Sequence, residues 1–160
     1  MWTPQYFAND LDSLAKQVLP PKVYKARGVK GLRLIDNRLL EFIDQLRYDL
    51  GIPLTINGGG YTQSGLRDVD HYGSQEAMDK SWSTHKYGSA IDFRSPEMSS
   101  HEIRRHIIAN KKRYPMITFM EVGISWVHVS TQTRITEEDI LYWSPRLGYV
   151  SESVVIDDQL

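Results

Sequence analysis

The sequence predicts an α+β domain in which helices pack on one side of a small antiparallel sheet. Two segments, residues 36–50 and 99–113, have apolar side chains at the three- and four-residue spacing of a helix that is buried on one face. Three short apolar runs, residues 89–93, 117–122 and 126–130, are bounded by turn residues and indicate strands. The combination of long helices with short strands favours this fold class over an all-helical or all-strand domain.

Local signals mark the ends of the two helices. Asp36 is a natural N-cap for the first helix, and Gly51 is placed to end it. Ser99 and Glu102 have the spacing of a capping box at the start of the second helix. Weaker patterns predict a short helix capped by Asn9 or Asp10, a strand over residues 53–57 and an edge strand over residues 140–143.

Composition limits the class of protein. The chain has 160 residues, 41% of them hydrophobic, so we expect a single domain over residues 1–160 with residues 1–35 and 145–160 at its periphery. The net charge is -1 without a block of like charges, which argues against nucleic acid as a partner. No run is long enough for a membrane helix, so we expect no insertion into a membrane. No signal segment is visible, so we expect synthesis in a cytoplasm. We also expect the protein to be a monomer.

A metal site is the main functional prediction. Residues 83–92 read Ser-Thr-His-Lys-Tyr-Gly-Ser-Ala-Ile-Asp, and a second histidine follows at position 128. His85, Asp92 and His128 form a ligand set suited to zinc, and the chain has no cysteine to offer instead. Three protein ligands leave one tetrahedral position open, as in catalytic zinc sites. The alternatives are an exposed loop histidine, a strand-end aspartate and a core histidine bonded to a backbone carbonyl.

The pattern Ser-x-His-x-x-Gly-x-Ala-x-Asp at residues 83–92, with Trp-x-His at residues 126–128, resembles the zinc D-Ala-D-Ala metallopeptidases. These include vancomycin-resistance D,D-peptidases and phage endolysins, and their fold is shared with the Hedgehog signalling domain. The resemblance implies a Hedgehog-like fold and a Zn2+ cofactor held by His85, Asp92 and His128. It also implies carboxypeptidase or endopeptidase activity on peptidoglycan stem peptides, in a phage-encoded enzyme that reaches the bacterial cell wall after release.

A substrate-binding arginine is implied by a second part of the resemblance. The segment Ser64-Gly65-Leu66-Arg67 resembles the family's Ser-Gly-x-Arg segment, whose arginine binds the substrate carboxylate. A planar guanidinium pairs with a carboxylate through two hydrogen bonds. The alternative for Arg67 is a salt bridge to Asp68 or Asp70.

Two polar segments complete the candidate surface. Residues 61–82 have neither helical nor strand periodicity, and we interpret them as a long loop at the rim of a cleft. His71 lies in this loop as a substrate binder or replacement ligand, and the Ser83 hydroxyl directly after the loop adds to the site or orients a ligand. The basic residues between positions 22 and 33 are interpreted as a solvated loop, or alternatively as a surface that attracts the anionic wall.

The general base is not fixed by the resemblance. The family places its catalytic glutamate three residues before the second histidine, where this chain has Ser125. Glu121 is the nearest upstream carboxylate, and a turn at Gly123 would bring it beside the metal. The alternative is that Glu121 is a solvated residue at a strand end. The other nearby acids come later in the sequence than the predicted strand that contains His128. They are Glu137, Glu138 and Asp139.

Two functions follow from these residues. The preferred one is a zinc-dependent peptidase in which Glu121 is the base. The alternative is a catalytically inactive zinc-binding module of a phage particle, or a binding domain, with the same fold. The serine at position 125 favours the alternative, and a peptidoglycan digestion assay separates the two.

Overall fold

The structure is a computed structural model that describes residues 3–133, 139–157 and 159–160. In these ranges a five-stranded mixed sheet is combined with helices, which confirms the predicted α+β class. The strands are β1 (Ala90–Phe93), β2 (Phe119–Glu121), β3 (Val127–Ser130), β4 (Leu141–Ser144) and β5 (Gly148–Val150). Their order across the sheet is β1-β3-β2-β4-β5.

The prediction of a purely antiparallel sheet is wrong at one pair of strands. β2 and β4 are parallel, whereas the other neighbouring strands are antiparallel. β3 pairs with one edge of β2. β4 pairs with the other edge and runs in the same direction as β2. β4, which the sequence predicts as an edge strand, has β5 on its outer side. β5 is therefore a strand that the sequence does not predict.

The predicted helix caps are confirmed. The helices are α1 (Leu11–Val18), α2 (Pro21–Arg27), α3 (Asn37–Leu50), α4 (Val69–Tyr72), α5 (Gln75–Lys80), α6 (Ser100–Ala109) and α7 (Glu152–Asp157). Short 3-10 helices occupy Gly28–Leu34, Thr84–Tyr87 and Lys111–Arg113. Asp10 caps α1, Asp36 caps α3, and Ser99 forms a capping box with Glu102 at the start of α6. Gly51 ends α3 in the left-handed conformation.

Two segments that the sequence predicts as loops contain helices. Residues 22–33 lie in α2 and in the 3-10 helix that follows it. Pro21 is the first residue of α2, a position where its missing N–H costs nothing. Residues 61–82 contain α4 and α5, which begin after the capping side chains of Asp68 and Ser74. Segments this short carry too few residues to show helical periodicity.

The strand predicted over residues 53–57 is reduced to an isolated antiparallel bridge between Thr55 and Arg94. Each of these two residues donates its backbone N–H to the other's carbonyl oxygen, at 2.9 and 3.0 Å. The bridge continues the line of β1 by one residue and fixes the backbone of Arg94.

Both terminal segments enter the core, although the sequence predicts residues 1–35 and 145–160 to be peripheral. Leu14 and Val18 of α1 have no exposed surface. Val155 of α7 is also fully buried. The apolar faces of these two helices are covered by the rest of the domain, so both contribute to burying apolar surface.

The centre of the core lies between α3 and the sheet. Phe42 of α3 meets Phe93 of β1 and Tyr114 edge-on, with ring centroids 6.2 and 5.4 Å apart. Edge-to-face aromatic pairs of this kind add to the stabilisation from burial. In the described part of the chain, no helix has the length and apolar character needed to cross a membrane.

Asp44 ties the N-terminal segment to α3. Its carboxylate, in a residue that is 6% exposed, accepts hydrogen bonds from the backbone nitrogens of Gln5, Tyr6 and Phe7. The donor–acceptor distances lie between 2.8 and 3.1 Å. Three backbone donors thus depend on one side chain.

We expect Asp44→Ala to lower the free energy of unfolding by about 1–3 kcal/mol, because it leaves partly buried backbone donors without an acceptor. Chemical denaturation followed by circular dichroism measures the difference. Glu97→Ala is the control, since Glu97 is exposed, and it should change stability by less than about 0.5 kcal/mol. If Asp44→Ala is as stable as the wild type, the carboxylate does not hold the N-terminal segment.

Candidate metal centre

Three elements bring the predicted ligands together. His85 lies in the 3-10 helix Thr84–Tyr87, Asp92 lies in β1 and His128 lies in β3. Asp92 and His128 are direct partners in the antiparallel register of β1 and β3, so their side chains project from the same face of the sheet. The three residues are 2%, 6% and 9% exposed, respectively. The triad is therefore buried.

The donor atoms of the triad converge on one point. His85 Nε2 lies 3.2 Å from both Asp92 Oδ1 and His128 Nδ1, and His128 Nδ1 lies 2.7 Å from Asp92 Oδ1. Ligands that share a tetrahedral zinc ion at roughly 2.0–2.1 Å lie about 3.3 Å apart by geometry. Two of the three donor distances are close to this value, and the third, between His128 and Asp92, is shorter. The three donors are close enough together that the triad can hold a metal ion.

Hydrogen bonds outside the triad select the atoms that face the ion. His85 Nδ1 donates to the Gly65 carbonyl oxygen at 2.7 Å, so Nε2 is the nitrogen with a free lone pair in the neutral ring. Arg67 Nη2 donates to Asp92 Oδ2 at 2.8 Å, which leaves Oδ1 towards the histidines. Partners of this kind orient ligands in metal proteins and raise their affinity for the ion.

Burial and hydrogen bonding set the protonation states that metal binding requires. Burial raises the pKa of Asp92, but the close rings of His128 and His85 outweigh this effect and hold the pKa of the carboxyl below its usual range. Burial lowers the pKa of the His85 imidazole, against the opposing effect of Asp92. At neutral pH, Asp92 is therefore an anion and His85 is neutral, which are the metal-binding forms.

Residues 64–67 are held against the ligands by backbone hydrogen bonds. The Ser64 carbonyl oxygen accepts from the backbone nitrogen of Asp92 at 2.7 Å. The backbone nitrogen of Arg67 donates to the His85 carbonyl oxygen at 3.2 Å. The main chain of this segment is therefore bonded to two residues of the triad, and the side chain of Arg67 is bonded to one of them.

Two glycines allow close backbone packing behind the triad. The backbone nitrogen of Leu66 donates to the Val18 carbonyl oxygen at 2.8 Å, and a Cβ at Gly65 would lie 2.2 Å from the same oxygen. A Cβ at Gly88 would lie 1.9 Å from the Leu34 carbonyl oxygen, and Gly88 also has a φ of 67°. Only glycine fits at these two positions without a shift of the backbone.

Glu121 lies on the same face of the sheet as the triad. It is the register partner of His128 across β2 and β3, and its side chain lines the same cavity, which has a volume of about 510 Å³ and is here named the metal-centre cavity. The turn between these strands contains Gly123, with a φ of 73°. Burial raises the pKa of the Glu121 carboxyl. A carboxylate at this place is suited to proton transfer.

The other predicted site residues divide between two adjoining cavities. Ser83 lines the metal-centre cavity. His71 and Ser125 are exposed and line a second cavity of about 540 Å³. Arg67 and Asp92 belong to both cavities. His71 is therefore not brought into the triad, and Ser125 lies apart from the cavity that contains Glu121.

Arg67 pairs with Asp92 rather than with Asp68 or Asp70. Besides the bond from Nη2 to Asp92, its Nε donates to the carbonyl oxygen of Gln63 at 3.1 Å. Two of its three guanidinium nitrogens are thus engaged within the chain. The binding of a substrate carboxylate by Arg67 stays a prediction.

The metal-centre cavity has an aromatic wall that the sequence does not predict. Trp143 lines this cavity and is the register partner of Glu121 across β2 and β4. Phe119 meets His128 edge-on, with ring centroids 5.9 Å apart. Strand alternation could have placed Phe119 on the face of Glu121, two residues later. Trp143 could not be found in this way, because its position depends on pairing between distant strands.

The loop between β2 and β3 is fixed by Arg104 of α6. The buried guanidinium donates to the carbonyl oxygens of Ile124, Trp126 and Leu160 at 3.2, 2.9 and 2.9 Å. Burial lowers the pKa of Arg104 to about 10, so the group stays charged at neutral pH. Trp126 lines both cavities and is held in place by these bonds.

His101, His106 and Asp139 do not belong to the triad. His101 and His106 of α6 are half-buried and have hydrogen-bond partners elsewhere in the chain. Asp139 Oδ2 lies 3.7 Å from Lys111 Nζ. Glu137 and Glu138 lie outside the described residues.

Comparison with known proteins identifies no family, since no family model, curated protein or solved structure matches the chain. The interpretation of the site therefore depends on its own residues and geometry.

We expect the wild-type protein to bind about one divalent metal ion per chain and His85→Ala to retain only a small fraction of it, because one of three ligands is lost. Elemental analysis after dialysis measures the metal content. His101→Ala is the control, since His101 is not part of the triad. Equal metal content in His85→Ala and the wild type would contradict the assignment.

Arg67→Ala should weaken metal affinity by about ten- to a hundredfold, because the loss of a partner that orients a ligand typically has an effect of this size. Competition with a chelator of known affinity measures the change, and circular dichroism checks the fold. Arg105→Ala, at an exposed position of α6, is the matched control. Unchanged affinity in Arg67→Ala would mean that Asp92 needs no such partner.

Proposed function

We propose that the protein is a zinc-dependent peptidase that cleaves peptidoglycan stem peptides, as a D,D-carboxypeptidase or endopeptidase of the endolysin type. The observation that carries the proposal is the buried triad of His85, Asp92 and His128 with Glu121 beside it in one cavity. The motif resemblance to the zinc D-Ala-D-Ala metallopeptidases supports the substrate class. A Hedgehog-like fold, a phage origin, and action as a monomer on the cell wall after release from the cytoplasm are parts of the same proposal.

Zinc is the proposed ion because the donor set suits its chemistry. Two imidazole nitrogens and one carboxylate oxygen are a known ligand set of catalytic zinc, and the chain offers no thiolate. When bound, zinc lowers the pKa of a water ligand and polarises a carbonyl group. The donors His85 Nε2, Asp92 Oδ1 and His128 Nδ1 would hold the ion.

Glu121 is the proposed general base. Its carboxylate takes a proton from the attacking water and delivers it to the nitrogen of the leaving amine. The raised pKa of Glu121 makes it a stronger base than an exposed glutamate. Trp143 and Phe119 line the same cavity as this carboxylate.

The chain's other groups orient the ligands and the peptide. Gly65 holds the Nδ1 proton of His85, and Arg67 holds the outer oxygen of Asp92, so neither ligand can rotate without losing a hydrogen bond. Ser83 lines the metal-centre cavity, and its hydroxyl is the proposed hydrogen-bonding group for the peptide backbone.

A second candidate function is a metal-binding module without turnover. Ser125 stands where the resembling family has its catalytic glutamate, and it lines the second cavity. A serine has no group that accepts a proton at neutral pH. In this case Glu121 would only contribute to the polar lining of the metal-centre cavity.

Glu121→Gln should retain the metal and lose peptidase activity by about a hundred- to ten-thousandfold, the usual range for a positioned proton-transfer group. Mass spectrometry of purified peptidoglycan after incubation with the zinc-loaded protein measures the products. Glu97→Gln is the matched control at an exposed site.

Two results would count against the proposal. If the zinc-loaded wild type releases no peptide fragment from peptidoglycan, the module without turnover is the better description. If Glu121→Gln cleaves as fast as the wild type, another residue is the base.

A further inference from the structure

The second cavity contains a positive charge that the proposed mechanism does not use. This cavity shares Arg67, Asp92 and Trp126 with the metal-centre cavity, and the rest of its wall includes Tyr61 and Arg94. A peptide bound at the metal centre can therefore extend into the second cavity, where it meets Arg94.

Arg94 is held in a fixed orientation. Its guanidinium carbon lies 3.7 Å from the centroid of the Tyr61 ring, so the planar group stacks on the ring. Its backbone is fixed by the bridge to Thr55. Within the described ranges, no carboxylate or carbonyl oxygen accepts a hydrogen bond from the guanidinium of Arg94. Stacking occupies the face of the group and leaves its N–H edges for a ligand.

The other charges of this cavity already have partners. Asp70 pairs with Lys22, with 2.7 Å between the carboxylate oxygen and the amine. Arg67 pairs with Asp92 at 2.8 Å. Neither aspartate neutralises Arg94 in this arrangement, so an anion that enters the cavity meets an unpaired cation.

The position of Arg94 relates it to the reaction centre. Asp92 and Arg94 are two residues apart along the extended backbone of β1 and its continuation, so their side chains leave the same face. Two residues of a strand span about 6.7 Å. That distance corresponds to roughly two residues of an extended peptide bound along the same face.

We propose that Arg94, stacked on Tyr61, binds a substrate carboxylate that lies within about two residues of the cleaved bond. This inference is based on the proposed peptidase function and names the group that its substrate must carry. The flat guanidinium with free N–H edges suits a carboxylate, which it can meet through two parallel hydrogen bonds. Such a carboxylate has two sources in a stem peptide: the terminal α-carboxylate and the side chain of an acidic residue.

Isothermal titration calorimetry with synthetic stem peptides tests the proposal. The protein is the full chain, zinc-loaded and carrying Glu121→Gln so that the peptide stays intact, with and without Arg94→Ala. The probes are a pentapeptide ending in D-Ala-D-Ala, its C-terminal amide, and a version in which the acidic side chain is a carboxamide. We expect Arg94→Ala to weaken binding of the free acid by about ten- to a hundredfold, as for other charged hydrogen bonds.

The amide probes identify the source of the carboxylate. In the protein that retains Arg94, one of the two amides should bind about ten- to a hundredfold less tightly than the free acid. In Arg94→Ala, that amide and the free acid should bind equally tightly. Arg94→Lys should recover only part of the affinity, because lysine lacks the planar fork. Arg105→Ala is the matched control and should bind like the parent protein.

Three results would overturn the proposal. The free acid binds equally tightly with and without Arg94, or the parent protein binds the free acid and both amides equally tightly. The third such result is that none of the probes binds. Failure of the peptidase proposal has a different signature. In that case the zinc-loaded wild type leaves the peptides uncleaved, while the dependence of binding on Arg94 and on the carboxylate persists.

Discussion

The pairing of Asp92 with His128 across β1 and β3 is the constraint on which the site depends. Asp92 Oδ1 contacts His128 Nδ1, and Asp92 Oδ2 accepts a hydrogen bond from Arg67. The backbone nitrogen of Asp92 donates to the Ser64 carbonyl oxygen. A shift of the register by one residue would turn either side chain to the opposite face of the sheet. The same register places Glu121 beside His128 on the next strand, so one hydrogen-bonding pattern positions two ligands and the proposed base.

The third ligand is positioned from outside the sheet. His85 is fixed by the carbonyl oxygen of Gly65, and the segment of Gly65 is in turn bonded to Val18 at the end of α1. The cation at Arg67 compensates for burying the carboxylate of Asp92, which would be costly if it had no partner. Helices that are remote from the chemistry in sequence therefore contribute to ligand geometry.

The sequence predicted those elements whose signals lie within one short segment of the chain. α3 and α6 were predicted because periodicity and caps lie within each segment, and the three residues of the buried triad were predicted from residue type and spacing. The parallel pairing of β2 with β4 was missed, and with it the place of Trp143, because it is decided by contacts between distant segments. The partner of Arg67 was missed for the same reason: Asp68 and Asp70 are near it in sequence, whereas Asp92 is near it only in the folded chain.

The hydrogen bonds that reach from Val18 through Gly65 to His85 also affect how the site assembles. The ligands and their supports are spread from position 18 to position 128, so little of the site exists until long-range contacts have formed. Contacts between residues far apart in sequence form slowly during folding. An ion that binds only the finished triad adds its binding energy to the stability of the whole domain. Bound metal therefore reports on the completion of the entire fold, and a variant with a defect far from the triad can lose metal without any change to a ligand.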